Sequence, residues 1–279
     1  MIDNERLQDE LEEDQNSPEA KALAAALLAA LSIQVYKTYR SYAKDGILSN
    51  REMNQRNRKK KFFQSISTTL ASHYSQVKEL VLNKALGGFK HAYGRYMEEY
   101  SKVVGWELGR ELAEKTIQEQ MKKGYPLNKT MTYNRRKTLK QLRRSFQEGW
   151  KKGETQDQLM KRVEEVIGSD KKRIKNIVKH ETGRMQSLAQ IKTIEKAKKK
   201  GVRIQTQWCA LRDARTRPSH RYLHGQKSDE EGYFYVAGAR ARAPRLFGMP
   251  SEDCNCRCYL KIISISDSVD FDDWVEGDE

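Results

Sequence analysis

Residues 196–208 read K-A-K-K-K-G-V-R-I-Q-T-Q-W, and within them the spacing of apolar side chains changes. Upstream, Ile174, Ile177, Val178, Met185, Leu188 and Ile191 recur at helical spacing. The lysines at 198–200 and Gly201 supply the positive charge and the stop that a helix C-terminus favours. Downstream, Val202, Ile204, Thr206 and Trp208 alternate with Arg203, Gln205 and Gln207, the pattern of a half-buried strand. A helix therefore gives way to a sheet at Gly201. Residues 233–236 and 256–265 read as two further strands of the same sheet. The predicted fold is α+β, mainly α: an extended N-terminal helical region followed by helices packed on a small antiparallel sheet.

Working back from that switch, Thr155 and Gln158 make a capping-box pattern. Leu159, Met160, Val163, Val166 and Ile167 then share one helix face, Gly168 is read as the end of that helix, and Ser169 or Asp170 as the cap of the next. Gly124-Tyr125-Pro126 is the strongest punctuation before this half. Residues 90–122, with Trp106 among charges, read as helix, and so does the stretch up to Leu82; Gly87-Gly88 is expected to break the two apart. Further back, Leu23, Leu27 and Leu31 recur every four residues as an apolar stripe on a helix that Gly46 should end. The expected organisation is an acidic flexible arm (1–20), a helical N-terminal domain (21–125), a C-terminal domain (130–265) and an acidic tail (266–279) that carries Trp274.

Charge narrows the class of partner. The 279 residues hold 53 Lys and Arg against 38 Asp and Glu, a net of +15. Residues 51–250 alone carry 46 basic and 20 acidic side chains, a net of +26, while both ends are acidic. Such a field concentrates polyanions, with double-stranded DNA the first candidate; the plainer reading is a solvated surface. The candidate phosphate contacts are Arg56, Arg58, Lys59, Lys60 and Lys61, then Arg135, Arg136, Lys137, Arg143 and Arg144, with Arg240 to Arg245 as a third cluster. None resembles a base-reading module. The acidic first residues do not read as a secretory signal. The apolar run from Ala22 to Leu31 is shorter than the roughly 18 residues a membrane span needs, so helix packing is expected and no membrane partner. The cysteine spacing fits a reducing cytoplasm better than a disulfide framework.

The densest chemistry lies in W-C-A-L-R-D-A-R-T-R-P-S-H-R-Y-L-H-G (208–225) and P-S-E-D-C-N-C-R-C (250–258). On a strand, Cys254, Cys256 and Cys258 would share one face and could hold zinc with His220 or His224. C-x-C-x-C is an unusual spacing for a closed zinc site, and the preferred reading of the same cysteines is small buried hydrophobes behind Trp208 and His220. Zinc is the one cofactor these residues could ligate, and otherwise none is expected. Asp213, Arg215 and Arg217 read as an ion-pair network fixing the loop, the alternative being that Arg215, Arg217 and Arg221 contact phosphates. His220, His224 and Asp213 together could form a general-base or metal-nuclease site. There is no nucleophile motif, no HExxH and no phosphate-cradling glycine loop, so an enzyme is not expected.

Trp208, the D-x-R-T-R-x-x-H run from Asp213 to His220, Gly225, Pro250 and the closing C-x-C-R-C resemble the C-terminal domain of phage minor head proteins, the Mu F-like head-morphogenesis family. K-H-E-T-G-R-M-Q-S (179–187) resembles the family's helical R-T-E-T segment, with His180 where an Arg is more usual. The resemblance covers roughly residues 135–263. It implies a structural component of the virion, placed in the capsid interior after assembly in the host cytoplasm. Its implied partners are the portal protein, capsid and scaffold proteins and packaged DNA. The residues alone also allow a zinc-dependent nucleic-acid-processing enzyme or toxin, or a non-specific DNA-binding accessory protein.

Overall fold

The computed structural model describes residues 2–43, 48–55, 57–105, 119, 127–236 and 238–267. The expectations placed on Gly46, Arg56, Trp106, the 124–126 punctuation and the tail beyond 267 lie outside those residues. The helices are α1 (Asn4–Gln15), α2 (Pro18–Tyr42), α3 (Asn50–Met53), α4 (Arg58–Val104), α5 (Leu127–Lys152), α6 (Gln156–Lys199), α7 (Pro218–Leu223) and α8 (Pro250–Asp253). The strands are β1 (Val202–Cys209), β2 (Phe234–Val236), β3 (Ala239–Ala241) and β4 (Tyr259–Asp267). The protein is mainly α with some β, as its sequence periods require.

Two compact units share these elements. A helical unit draws on residues 17–83 and 125–178, and a sheet-bearing unit on residues 1–16, 84–124 and 179–279. This differs from the linear plan of arm, N-terminal domain and C-terminal domain, because α4 and α6 each contribute to both units.

In the helical unit, Ser17 caps α2 through its hydroxyl and Pro18 opens the first turn, where its missing N–H costs nothing. The buried stripe of α2 is Ala20, Ala24, Leu28, Leu31, Val35 and Tyr39. It is rotated from the expected leucine stripe, and Leu23 is 49% exposed. The aromatic end sets this rotation: Tyr39 stacks on Phe146, which meets Phe62 edge-on at 5.0 Å and Trp150 at 5.7 Å. One window within residues 4–42 is apolar enough over 18 residues to cross a membrane by length and composition alone. The chain changes helix at Asn16–Ser17 inside that range, and the buried stripe is part of this unit's core.

The capping box forms as expected, with Thr155 N–H donating to Gln158 Oε1 at 2.9 Å. Gly168 does not end the helix, which runs on to Lys199. Burial on both sides of it outweighs a glycine's helix penalty of about 1 kcal/mol: Ile167 and Ile174 are core residues. Asp170, expected as a cap, is instead fully buried and accepts from Tyr74 (2.6 Å), Thr138 (3.2 Å) and Arg173 (2.9 Å).

In the sheet-bearing unit, β1 and β4 pair antiparallel from Val202↔Asp267 to Cys209↔Tyr259, with a bulge at Gln205/Thr206. The expected three-stranded sheet is in fact two pairs, since β2 pairs only with β3, a strand not foreseen. Residues 1–20 are not a flexible arm. Leu7 and Leu11 of α1 are buried. The Asn4 side chain donates to the Ile262 carbonyl at 3.2 Å and accepts its N–H at 2.9 Å, acting as one residue of a strand along β4. Gln190 of α6 donates to Leu260 O at 3.2 Å, so β4 is tied to both helices.

Helix α4 passes through Gly87-Gly88 unbroken. Gly88 is buried where α4 crosses α6, and a Cβ there would lie 2.7 Å from Thr182 Cγ2. Gly87 faces open space. Gly88→Ala should therefore lower stability by about 1–3 kcal/mol through overpacking, and Gly87→Ala should raise it by about 0.5–1 kcal/mol through helix propensity. Urea unfolding of the two variants checks this, and shifts of the same sign would refute the close crossing.

Candidate functional site

Trp208, the last apolar residue of the alternating β1 pattern, is completely buried. Its ring meets Phe234 at 5.3 Å, His220 at 5.6 Å and Phe247 at 5.7 Å. The loop after β1 returns through α7, started by Pro218, and Gly225 closes it at φ +84°, donating to Trp208 O at 2.8 Å. That left-handed backbone favours glycine. The same α7 turn aims His220 into the aromatic box.

Arg217 places the second half of the site. Its guanidinium donates to the carbonyl oxygens of Glu252 (3.1 Å) and Cys254. It is thus not a member of the expected network with Asp213. Asp213 takes Arg257 instead, at 2.5 Å, together with the Arg215 N–H and the Thr216 hydroxyl. The hydrogen bond from Arg257 holds the Asp213 carboxyl well below the usual carboxylate range. Arg215 reaches it only at 3.7 Å, and Arg221 donates to its backbone carbonyl at 3.0 Å. Asp253 accepts the N–H groups of Phe247 (3.0 Å) and Met249 (3.1 Å), which fixes the turn leading into the cysteines.

The cysteines do not share a strand face, because β4 begins only at Tyr259. Cys254 caps α8, and Asn255 at φ +56° turns the chain, so Cys254 stands apart. Cys256 and Cys258 converge on His220: their sulfurs lie 3.5 and 3.3 Å from its Nδ1, and the three ligand atoms are all within 4.8 Å of one another. Their exposures are 1% for His220 and 3% for each cysteine. His220 Nε2 lies 3.2 Å from Glu252 Oε2, which also accepts from Ser219 Oγ at 2.9 Å. The Cys258 thiol, then His220 and the charge of Arg245, hold Cys256 well below the ordinary thiol range. Cys258 is pushed up in turn. Arg245 is itself buried, packs its guanidinium over Gly183 of α6 and reaches Gln15 at 3.3 Å. Burial lowers the pKa of His180, while Glu181 pairs with Arg184 at 3.0 Å.

The general-base grouping of His220, His224 and Asp213 does not form. His224 Nδ1 accepts the Ala210 N–H at 3.1 Å, His220 faces the cysteines, and Asp213 holds Arg257. Of the Arg240–Arg245 cluster, Arg240 lies over Tyr233, Arg242 pairs with Glu195 and Arg245 is buried, so it is no open phosphate patch. Sequence reasoning missed Glu252, Arg257 and the central place of Arg245. The only signal for Glu252 was an acid inside P-S-E-D-C.

The other candidate interface lies in the helical unit. Arg136, Lys137, Arg143 and Arg144 are exposed on α5, as is Lys140, and Arg135 is half-buried. Arg143 lies over the Phe63 ring at 5.3 Å, which brings this face beside the start of α4, where Lys60 and Lys61 are exposed and Lys59 is half-buried. Arg58 is committed to the Tyr42 carbonyl at 2.6 Å, and Arg144 pairs with Glu148 at 2.7 Å.

A helix passes here into a sheet closed by a Trp–His–Cys cluster. Residues 140–261 match the family described as Phage Mu protein F like protein. The chain is similar to "Minor head protein GP7" of Bacillus phage SPP1, 25% identical over 241 residues, covering 85% of this chain and 78% of that protein. It is also similar to "NAD(+)--arginine ADP-ribosyltransferase EFV" of Enterococcus faecalis (strain ATCC 700802 / V583), 36% identical over 106 residues. That match covers 38% of this chain and only 22% of the relative's length. No solved structure matches significantly.

Removing the ring around which the site is packed should be costly. Trp208→Ala is expected to destabilise the sheet-bearing unit by about 3–5 kcal/mol, read as loss of near-ultraviolet dichroism and a lower melting temperature. Unchanged melting would show that Trp208 is not the centre of this core.

Proposed function

We propose that this chain is a minor head protein of a tailed phage, built into the capsid interior through the portal protein and in contact with the packaged DNA. The observation that carries the reading is the similarity to a protein named as a minor head protein, which spans most of both chains. The family segment at residues 140–261 supports it independently. A structural role also suits a site whose polar groups are spent on holding a fold: Asp213, Arg217, His220 and His224 each have a structural partner. The similarity to the ADP-ribosyltransferase covers too little of that protein to bring its activity here.

The exposed cations of α5 and the start of α4 are the proposed DNA contact. They repeat along one helical face, and their charges lack the groove-reading geometry that base recognition needs. Binding is then set by phosphate neutralisation and is sequence-independent.

Two measurements check this. Antibody raised against the chain should detect it at low copy number in purified heads of the phage that encodes it; its absence from heads would remove the proposed role. On double-stranded DNA, log K should fall with log salt by about 0.9 per phosphate contact. Replacing Arg136, Lys137, Arg143 and Arg144 by Gln should flatten that slope. An affinity insensitive to salt between about 50 and 200 mM would exclude the phosphate contact.

A further inference from the structure

We propose that His220 Nδ1, Cys256 Sγ and Cys258 Sγ are three protein ligands of a zinc ion, with Glu252 as the residue that positions the imidazole. The assignment is independent of the phage-head reading.

The geometry is that of a metal corner. Zn–S near 2.3 Å and Zn–N near 2.0–2.1 Å, at tetrahedral angles, put nitrogen and sulfur about 3.6 Å apart. The two separations here are 3.5 and 3.3 Å. A simple hydrogen bond could span either distance, so distance alone does not decide. What decides is that one ring nitrogen faces two sulfurs at once, while the other nitrogen faces a carboxylate at 3.2 Å. Nε2 makes no hydrogen bond among the described residues but lies within ion-pair distance of the carboxylate, and a proton there leaves Nδ1 as a lone pair facing both thiol groups. Metal-bound histidines carry this arrangement, in which a carboxylate fixes the tautomer and raises the ligand's basicity.

The surroundings agree. Trp208 and Phe247 pack against His220, and Phe234 packs on Trp208 behind them. The buried Trp208 Nε1 has no hydrogen-bond partner among the described residues. Two thiolates and a neutral imidazole balance the charge of a divalent ion, so the buried group as a whole is neutral, which avoids the cost of an unpaired buried charge. Thiolate with imidazole selects zinc over magnesium or calcium.

Cys254 is excluded from the ligand set, because the turn at Asn255 separates it from the other two sulfurs. Among the described residues no fourth protein ligand joins the three, which leaves the remaining coordination position to a non-protein ligand such as water. No activity follows from that position, since Asp213 and His224 are engaged elsewhere.

The test uses the full chain purified under reducing conditions without added metal. Elemental analysis should find about one zinc per chain. A chelator should lower the melting temperature and restored zinc should raise it, because metal binding free energy is folding free energy. Cobalt added to the metal-free wild type should give a thiolate charge-transfer band, a readout that needs no variant to fold. Cys256→Ala and Cys258→Ala should lose the metal, whereas Cys254→Ala should keep it at full stoichiometry. Glu252→Gln should weaken zinc binding by about 10- to 100-fold while retaining the cobalt band. Metal-free protein with no cobalt band and no response to chelator would overturn the site in favour of packed thiols. So would recovery of Cys256 and Cys258 as a disulfide without metal. Loss of zinc from Cys254→Ala would overturn the three-ligand assignment.

Discussion

A buried imidazole requires polar neighbours at both nitrogens, and His220 draws them from one short segment. Cys256 and Cys258 meet Nδ1, and Glu252 lies at ion-pair distance, 3.2 Å, from Nε2. Much of the sheet-bearing unit follows from this requirement. Arg217 and Asp253 hold the segment's backbone by its carbonyl and N–H groups, so the turn is fixed before β4 begins. Trp208 closes the box from β1, and its strand is paired with the one that follows the cysteines. Leaving any of these polar groups buried without a partner would cost about 1–3 kcal/mol, more for a charged one.

The parts of this arrangement governed by local rules were legible in the sequence. The change of period at Gly201 marked β1, and the Thr155–Gln158 pair marked the start of α6. Trp208 stood at an inward position of an alternating strand and is core. Glycine misled in α4 and α6 because its penalty is small beside the burial available to a continuing helix. Gly88 is present for closeness to Thr182, which only the crossing of two helices reveals. Acidic residues misled at the N-terminus: they dominate α1 by number, but Leu7 and Leu11, four apart, decide its packing.

The polar site was legible as a set of residues and illegible as pairs. Asp213 found Arg257, 44 residues away, where its neighbour Arg215 was the sequence-local choice. Cys254 left the cysteine group through a single left-handed residue, Asn255. Arg245 and Gln15 meet across 230 residues, and no spacing rule reaches so far. Such pairings are fixed by the fold as a whole.

The contact between Asn4 and Ile262 spans 258 residues and gives the first helix a part in the last strand. During synthesis α1 leaves the ribosome 258 residues ahead of its strand partner. The loop that must close is correspondingly long, and its entropy is lost before such a contact returns anything. The sheet-bearing unit therefore makes this contact only once β4 has been synthesised. A chain cut short before β4 lacks the strand that pairs with β1 and leaves that strand's edge open, which makes premature termination an aggregation hazard.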